Sequence, residues 1–455
     1  MYLQYIQMYN INLYIRSKQI FFCNFARLYI YEINMKLKHL LSLFCPLMVA
    51  TSVEAQNIPL KDSTLRIDYI FSGDAKQQYI SVDEIRTFKG WAGRTHNMDK
   101  VPLGGNGQIT MRDAATQKVL YRHSFSTLFQ EWLGTEEATR TKKAFENVFL
   151  LPMPKDSVRI EVELYDFKQR VVAKLNHPVD PNDILIRPIT AEPAPHKYLK
   201  KSKMGKKAID IAIVAEGYTA AEMDDFYKHA NDAVKALFAH DPFKKLQSRF
   251  NVVAVGIPSK DSGVSIPKQG IWKETALGSH FDTFYSDRYL TTLRLRKLHD
   301  ALAGIPYEHI IILANTENYG GGGIYNSYVL SMTKHPSFLP VVVHEFGHSF
   351  AGLADEYFYD DQFVEYYYPD VEPWEQNITT LKDFDSKWKD LLDKNCPVPT
   401  PDSDQRKVGV YEGGGYQSKG VYRGSNDCRM RTNEAPEFCP VCQRALERLI
   451  RFYTE

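Results

Sequence analysis

A chain of 455 residues with a 44% hydrophobic fraction is long enough for two or three domains and apolar enough to bury a core in each. Its 56 basic residues are balanced by 55 acidic ones, so charge favours no electrostatic partner and argues against nucleic acid, which demands a basic surface.

Residues 1–34 are rich in Tyr, Ile and Asn and lack a turn-bounded pattern, whereas Met35-Lys36-Leu37-Lys38-His39 opens a positively charged stretch ahead of an apolar run over 40–50. Val53-Glu54-Ala55 then supplies the small residues of a cleavage site, so 35–55 reads as a signal peptide and 1–34 as an artefact of start assignment. The apolar run falls well short of the about 20 residues that cross a bilayer, which leaves no membrane span. Phe44, just before Cys45, is too large for a lipoprotein signal. The expected destination is outside the cytoplasm, whether periplasmic, cell-surface or secreted.

Export bears on the cysteines. Cys23 and Cys45 leave with the signal, so Cys396, Cys428, Cys439 and Cys442 remain, an even number for an oxidising compartment. Disulfides are the expectation, with Cys439 joined to Cys442 and Cys396 to Cys428 among three possible connectivities. The competing reading is a second, structural zinc held by the four thiolates.

Residues 57–187 carry the alternation of short strands at 65–71, 107–111 and 158–164, separated by Gly- and Asp-rich turns. In 158–164 it buries one face and wets the other, as an antiparallel β-sandwich needs. Trp91, Arg94 and His96 share a Gly-containing loop, where local packing is the plainer role and ligand binding the alternative. The composition of 188–205, with Ala191-Glu192-Pro193-Ala194-Pro195, is that of a linker.

A new domain is predicted over 206–455. Strands at 209–215, 250–256 and 309–314 alternate with helices at 220–240 and 286–303, the pattern of crossover units in a mostly parallel sheet. The Gly-rich run 319–325 and the stretch 326–332 after it predict an edge strand beside a cleft, with a flexible surface hairpin as the alternative.

Next comes Val343-His344-Glu345-Phe346-Gly347-His348. At 3.6 residues per turn the two histidines stand one turn apart on one helix face, where both imidazoles can bind one zinc with Glu345 beside it. Leu339, Val343, Phe346 and Phe350 fall on the other face and can be buried. Pro340 suits the first turn and Gly352 the stop. A catalytic zinc takes three protein ligands and keeps one position open, so a third is required.

After the stop, Gly352-Leu353-Ala354-Asp355 resembles the metzincin pattern, in which a Gly turns the chain out of the helix and the third residue beyond it returns to the metal. That resemblance implies Asp355 as the third ligand. Here the Gly stands one residue later than in metzincins, with Ala351 in its usual place, and Glu356 is left as a rival. Met430, in Cys428-Arg429-Met430-Arg431, resembles the Met that lies on a tight turn beneath the metal in that group. With Glu412-Gly413-Gly414-Gly415-Tyr416 and the cysteines that follow, these motifs make the chain from about 206 onward resemble the bacterial IgA metallopeptidase family. Residues 57–187 resemble the amino-terminal module that accompanies it.

The resemblance implies a multidomain protein, an amino-terminal all-β sandwich followed by an α/β metzincin-like zinc-peptidase domain. The implied activity is that of an exported zinc-dependent endopeptidase, hydrolysing peptide bonds through a zinc-activated water with Glu345 as general base. The implied metal ligands are His344, His348 and Asp355, and the partner is a protein or peptide substrate. Tyr357 and Tyr422 are candidates for stabilising the oxyanion. Two other classes stay open, a zinc hydrolase of cell-wall peptide or glycoprotein and an exported binding or adhesion protein with structural zinc. Glu345 argues against the second, since structural zinc has no use for a base. The natural substrate, the role of the amino-terminal module and the oligomeric state are not legible.

Overall fold

Alternation along the first strands sets up two facing sheets. The computed structural model describes residues 60–190, 192–360 and 366–455; the expected signal peptide and the segment before it lie outside the described residues. One sheet joins β1 (Leu60–Gly73), β2 (Gln78–Lys89), β5 (Lys143–Pro154) and β8 (Arg187–Pro188) in the order β5-β1-β2-β8. The other joins β3 (Gly107–Asp113), β4 (Val119–Phe125), β6 (Val158–Tyr165) and β7 (Val171–Val179) in the order β4-β3-β6-β7. Val158, Ile160, Val162 and Leu164 all point inward from β6, the period of two that one buried face requires. Across the gap, Phe125 meets Phe149 at 4.5 Å between ring centroids and Phe71 at 6.2 Å. The short helix α1 (Leu128–Leu133) leaves β4, with Thr127 Oγ1 accepting from the Gln130 N–H.

The second layer is built on a six-stranded sheet with β9 (His196–Lys200), β10 (Ile209–Glu216), β11 (Phe250–Val255), β12 (His309–Ala314), β13 (Gly321–Ile324) and β14 (Tyr328–Met332). Its order is β13-β14-β12-β10-β11-β9, parallel through the middle, with β13 and β9 antiparallel at the two edges. Every residue of β10 is buried, as a strand covered on both faces must be. Helix α2 (Met223–Leu237) faces the core with Phe226, Ala230, Ala233 and Leu237, a helical spacing. The helices α3 (Leu295–Ala301), α4 (Phe338–Ala351) and α5 (Pro440–Thr454) follow, with a small sheet of β15 (Phe358–Tyr359), β16 (Ile378–Thr379), β17 (Tyr411–Gly414) and β18 (Tyr416–Arg423) between the last two helices.

The outer face of β1 explains why the two layers stay together. Arg66 and Asp68 are fully buried there, paired at 2.7 Å, and Arg66 Nη1 also reaches Asp300 Oδ1 on α3 at 2.6 Å. A buried ion pair adds little net stability, but removing Asp68, the fully buried partner, would leave Arg66 with only the half-exposed Asp300. Trp91 and Arg94 serve the same join. Trp91 Nε1 donates to the Arg94 carbonyl, the guanidinium lies over Tyr121, and the Arg94 N–H donates to Glu308 at 2.8 Å. Local packing accounts for both.

Three expectations change. The segment 188–205 is not only a connection, because β9 adds an antiparallel edge strand to the sheet by pairing with β11. The helix expected over 286–303 is confined to Leu295–Ala301. Residues ahead of it are held extended by bridges of His280 with Thr291 and Tyr289 with Gly321, and Thr292 Oγ1 donates to the Leu277 carbonyl. Leu339 is 40% exposed, since it stands in the first turn of α4 before the helix enters the core, whereas Val343, Phe346 and Phe350 are buried as expected.

Candidate metal centre

Helix α4 begins at Phe338 with Pro340 inside its first turn, where a missing N–H costs nothing, and ends at Gly352. Gly352 has φ +55°, and a Cβ there would lie 2.3 Å from the Trp374 ring, so both conformation and space require glycine. The chain that turns out of the helix is pinned on both sides. Asn377 exchanges hydrogen bonds with the backbone of Ala354, Met430 accepts from the Glu356 N–H, and Asp355 accepts from the Gly415 N–H, each at 2.8 Å. In an extended segment successive side chains point to opposite sides. Asp355 therefore turns to the histidines and Glu356 away from them, towards Cys442.

His344 Nε2 and His348 Nε2 stand 3.0 Å apart, and Asp355 Oδ1 lies 3.0 Å and 3.2 Å from them. The opposite ring nitrogens, His344 Nδ1 and His348 Nδ1, face the carbonyl oxygens of Arg429 and Leu353. A carbonyl only accepts, so each Nδ1 carries a proton and each Nε2 is turned to Asp355 Oδ1. Two imidazole Nε2 atoms and one buried carboxylate oxygen then converge on one point, and Asp355 Oδ1 has no polar neighbour besides those two rings. A tetrahedral zinc with Zn–N near 2.0 Å has ligand-to-ligand edges of about 3.3 Å. The donor set fits such an ion.

The electrostatics ask for the same charge. Burial alone would raise the Asp355 carboxyl, but His348 and His344 hold it well below the usual carboxylate range. Burial disfavours the His348 cation, yet Asp355 and Glu345 raise its pKa to about 9. Glu345 is raised by burial, with the two imidazoles pulling the other way. Met430 is fully buried under the helix; a Cβ on Gly347 would come 2.7 Å from its sulfur, so the glycine between the histidines makes room for the methionine.

The residues open onto a cleft of about 830 Å³. Its wall includes β13, where a Cβ on Gly323 would lie 2.3 Å from the Glu345 carbonyl oxygen, so the close approach of strand to helix needs glycine. Tyr357 lines the cleft, whereas Tyr422 is on the part of β18 that pairs with β16 and β17 and does not. Tyr416, which closes the 412–416 motif but has no site role on sequence grounds, donates its hydroxyl to Asp355 Oδ2. From the sandwich layer, Gln130 and Glu131 on α1 also face the cleft, and Glu131 accepts from the Tyr289 hydroxyl. Burial pushes the Glu131 carboxyl up to about 7, despite Tyr289 and His348. No local pattern in 128–133 marks it.

Tyr416→Phe should weaken metal affinity about 10- to 100-fold, the usual effect of losing a partner that orients a ligating carboxylate. Titration against a competing chelator measures it, and an unchanged affinity would mean that the hydroxyl does not orient Asp355.

The disulfide expectation is overturned. Cys396, Cys428, Cys439 and Cys442 are all free. Cys428 and Cys442 have their sulfurs 3.7 Å apart, far beyond an S–S bond, and Cys396 lies with Thr400 and Pro397 instead.

The family model described as IgA Peptidase M64 matches residues 198–407 and 402–450, and the one described as Peptidase M64 N-terminus matches 57–176. No curated protein matches. Among solved structures, metalloproteinase-II from Bacteroides fragilis is 11% identical over 60% of this chain and 90% of its own, with a TM-score of 0.20, an overlap that adds nothing about the fold.

Proposed function

This chain belongs to the IgA peptidase M64 family and is a metallopeptidase, and from that premise we propose that it is an exported zinc endopeptidase using His344, His348 and Asp355 as metal ligands and Glu345 as general base. The observation that carries the reading is the convergence of two imidazole Nε2 atoms and one buried carboxylate oxygen at mutual distances of 3.0–3.2 Å. Export rests on the sequence of 35–55, and no helix among the described residues is long and apolar enough to cross a membrane.

Held by His344, His348 and Asp355, a zinc ion would supply Lewis-acid polarisation of the scissile carbonyl and would lower the pKa of a water towards about 7. The chain does the rest. Glu345, beside His344 and raised by burial, takes the proton from the water and returns it to the leaving amine. Tyr416 holds Asp355 from the far side, and the carbonyls of Arg429 and Leu353 hold the imidazoles with Nε2 inward. Tyr357 is placed in the cleft to donate to the developing oxyanion. An extended peptide lies along β13 beyond Gly321, whose N–H already donates to the Arg288 carbonyl, and main-chain pairing there orients the scissile bond. The cleft wall from α1 gives the amino-terminal module a part in holding substrate.

Digestion of a peptide library with and without chelator tests this reading. New peptide termini that vanish with chelator are expected. Release of product only from cell-wall peptide or glycoprotein, with the library intact, would replace endopeptidase by another amide hydrolase. The antibody in the family's description is not carried over to this chain.

A further inference from the structure

We propose that Cys428, Cys439, Cys442 and Glu356 form a second, closed zinc site that fastens the residues around the first. The four side chains come from three separate segments, all are buried, and one ligand atom from each lies within 4.8 Å of the others. The sulfurs of Cys428 and Cys442 are 3.7 Å apart; a tetrahedron with Zn–S near 2.3 Å has an edge of about 3.8 Å. Glu356 Oε1 lies 3.0 Å from Cys442 Sγ and 4.0 Å from Cys439 Sγ, either side of the about 3.5 Å expected between a thiolate and a carboxylate oxygen on one zinc.

Two further observations point to an ion. Glu356 is wholly buried; its Oε1, the oxygen that faces the sulfurs, also accepts from Asn377 Nδ2 at 3.0 Å, while its Oε2 has no hydrogen-bond partner. Arg423 is near enough to feel that carboxylate, but it directs its N–H groups to the carbonyls of Glu412 and Gly413 and to Asn426. A buried carboxylate without a counter-ion is costly, and a cation among three sulfurs resolves it. Backbone donors also aim at sulfur. The N–H groups of Cys439 and Met430 approach Cys428 Sγ at 3.3 Å and 3.5 Å, as they would a thiolate. Cys439 caps α5 and Cys442 stands in its first turn, where the helix dipole favours negative charge.

Three thiols cannot all pair, so any disulfide within the cluster would strand one of them. A soft, four-coordinate set of three sulfurs and one oxygen suits zinc, and with four protein ligands it has no open position. Its effect on the first site follows from chain connectivity. Glu356 is the neighbour of Asp355, and Cys428 is the neighbour of Arg429, whose carbonyl orients His344. Fixing Glu356 and Cys428 to one ion therefore fixes the third ligand and one imidazole of the peptidase site. The role is positional.

The test is metal analysis of the full-length mature protein, loaded with zinc alone and then desalted. Wild type should hold two zinc ions per chain, and His344→Ala/His348→Ala should keep one. X-ray absorption at the zinc edge of that double variant should show sulfur at about 2.3 Å. Cys442→Ala should lose this ion and keep the other with weaker affinity; should that variant fail to fold, the double histidine variant still decides the matter, because the cluster is intact in it. A folded double histidine variant without zinc, or with zinc bound only by nitrogen and oxygen, would overturn the proposal. So would a two-hydrogen mass loss assigned to a disulfide inside the cluster. Loss of peptide cleavage by wild type bears on the first site alone, so the two readings fail separately.

Discussion

Glu345→Gln should keep its metal and lose about three orders of magnitude in kcat, equivalent to ~4 kcal/mol of transition-state stabilisation. The amide has the size and shape of the carboxylate but cannot accept the water's proton. The ligand atoms of His344, His348 and Asp355 are held by Arg429, Leu353 and Tyr416, and Glu345 is not among those supports, so metal content should not change. KM should move little, because the loss falls on a step made only in the transition state. Steady-state kinetics on a defined peptide, with zinc measured in the same sample, gives both numbers. Near-normal turnover would remove Glu345 from the role of base.

The second large effect concerns the residue after the turn. Asp355→Ala should weaken the zinc that supports turnover by more than the ~100-fold associated with partners one layer further out, since it removes a direct ligand and leaves two imidazoles. Glu356→Ala should shift the same affinity by no more than about 10-fold, because its carboxylate faces Cys442 and Asn377 and acts on the first site only indirectly, by positioning Asp355 and, through Cys428, the Arg429 carbonyl. The readout is the zinc concentration that restores cleavage to chelator-treated protein, buffered by a competing chelator. A larger shift for Glu356→Ala would reverse the assignment of the third ligand.

That choice shows where the sequence stops being informative. The pairing of His344 with His348 is local, fixed by helical periodicity, and could be read directly. The stop at Gly352 was equally local. On sequence the metzincin resemblance implies Asp355, and Glu356 stays a rival because one extra residue before the glycine can rotate the turn. What settles their directions is tertiary, namely Asn377, Met430 and Gly415 pinning an extended segment so that its side chains alternate. Tyr416 and Glu131 approach the site only after β18 and α1 have packed; Glu131 lies in a stretch without a chemical pattern, and the Gly-rich motif that ends at Tyr416 does not say which side chain its hydroxyl meets. An even number of cysteines suggests pairs or a four-thiolate zinc, but Cys396 folds away and the other three converge on a carboxylate. Composition cannot see that partition.

The fold was legible to a similar depth. Strands 209–215, 250–256 and 309–314 are β10, β11 and β12, because continuous apolar runs of that length have few other uses. The helix expected over 286–303 was over-extended, since its first half resembles helix in composition but is drawn into bridges with the sheet edge and with 280. β9 was hidden inside a Pro- and Lys-rich stretch, where composition speaks for a connection and only pairing with β11 makes it a strand.

The central claim is that peptide hydrolysis depends on a metal held by His344, His348 and Asp355. It is tested most directly by following cleavage of one peptide as the protein is stripped with chelator and zinc is returned. Wild type should lose cleavage and recover it with zinc, while His344→Ala/His348→Ala should recover none at any zinc concentration that leaves it folded. Cleavage that persists in metal-free wild type, or returns fully in the double variant, would contradict the account.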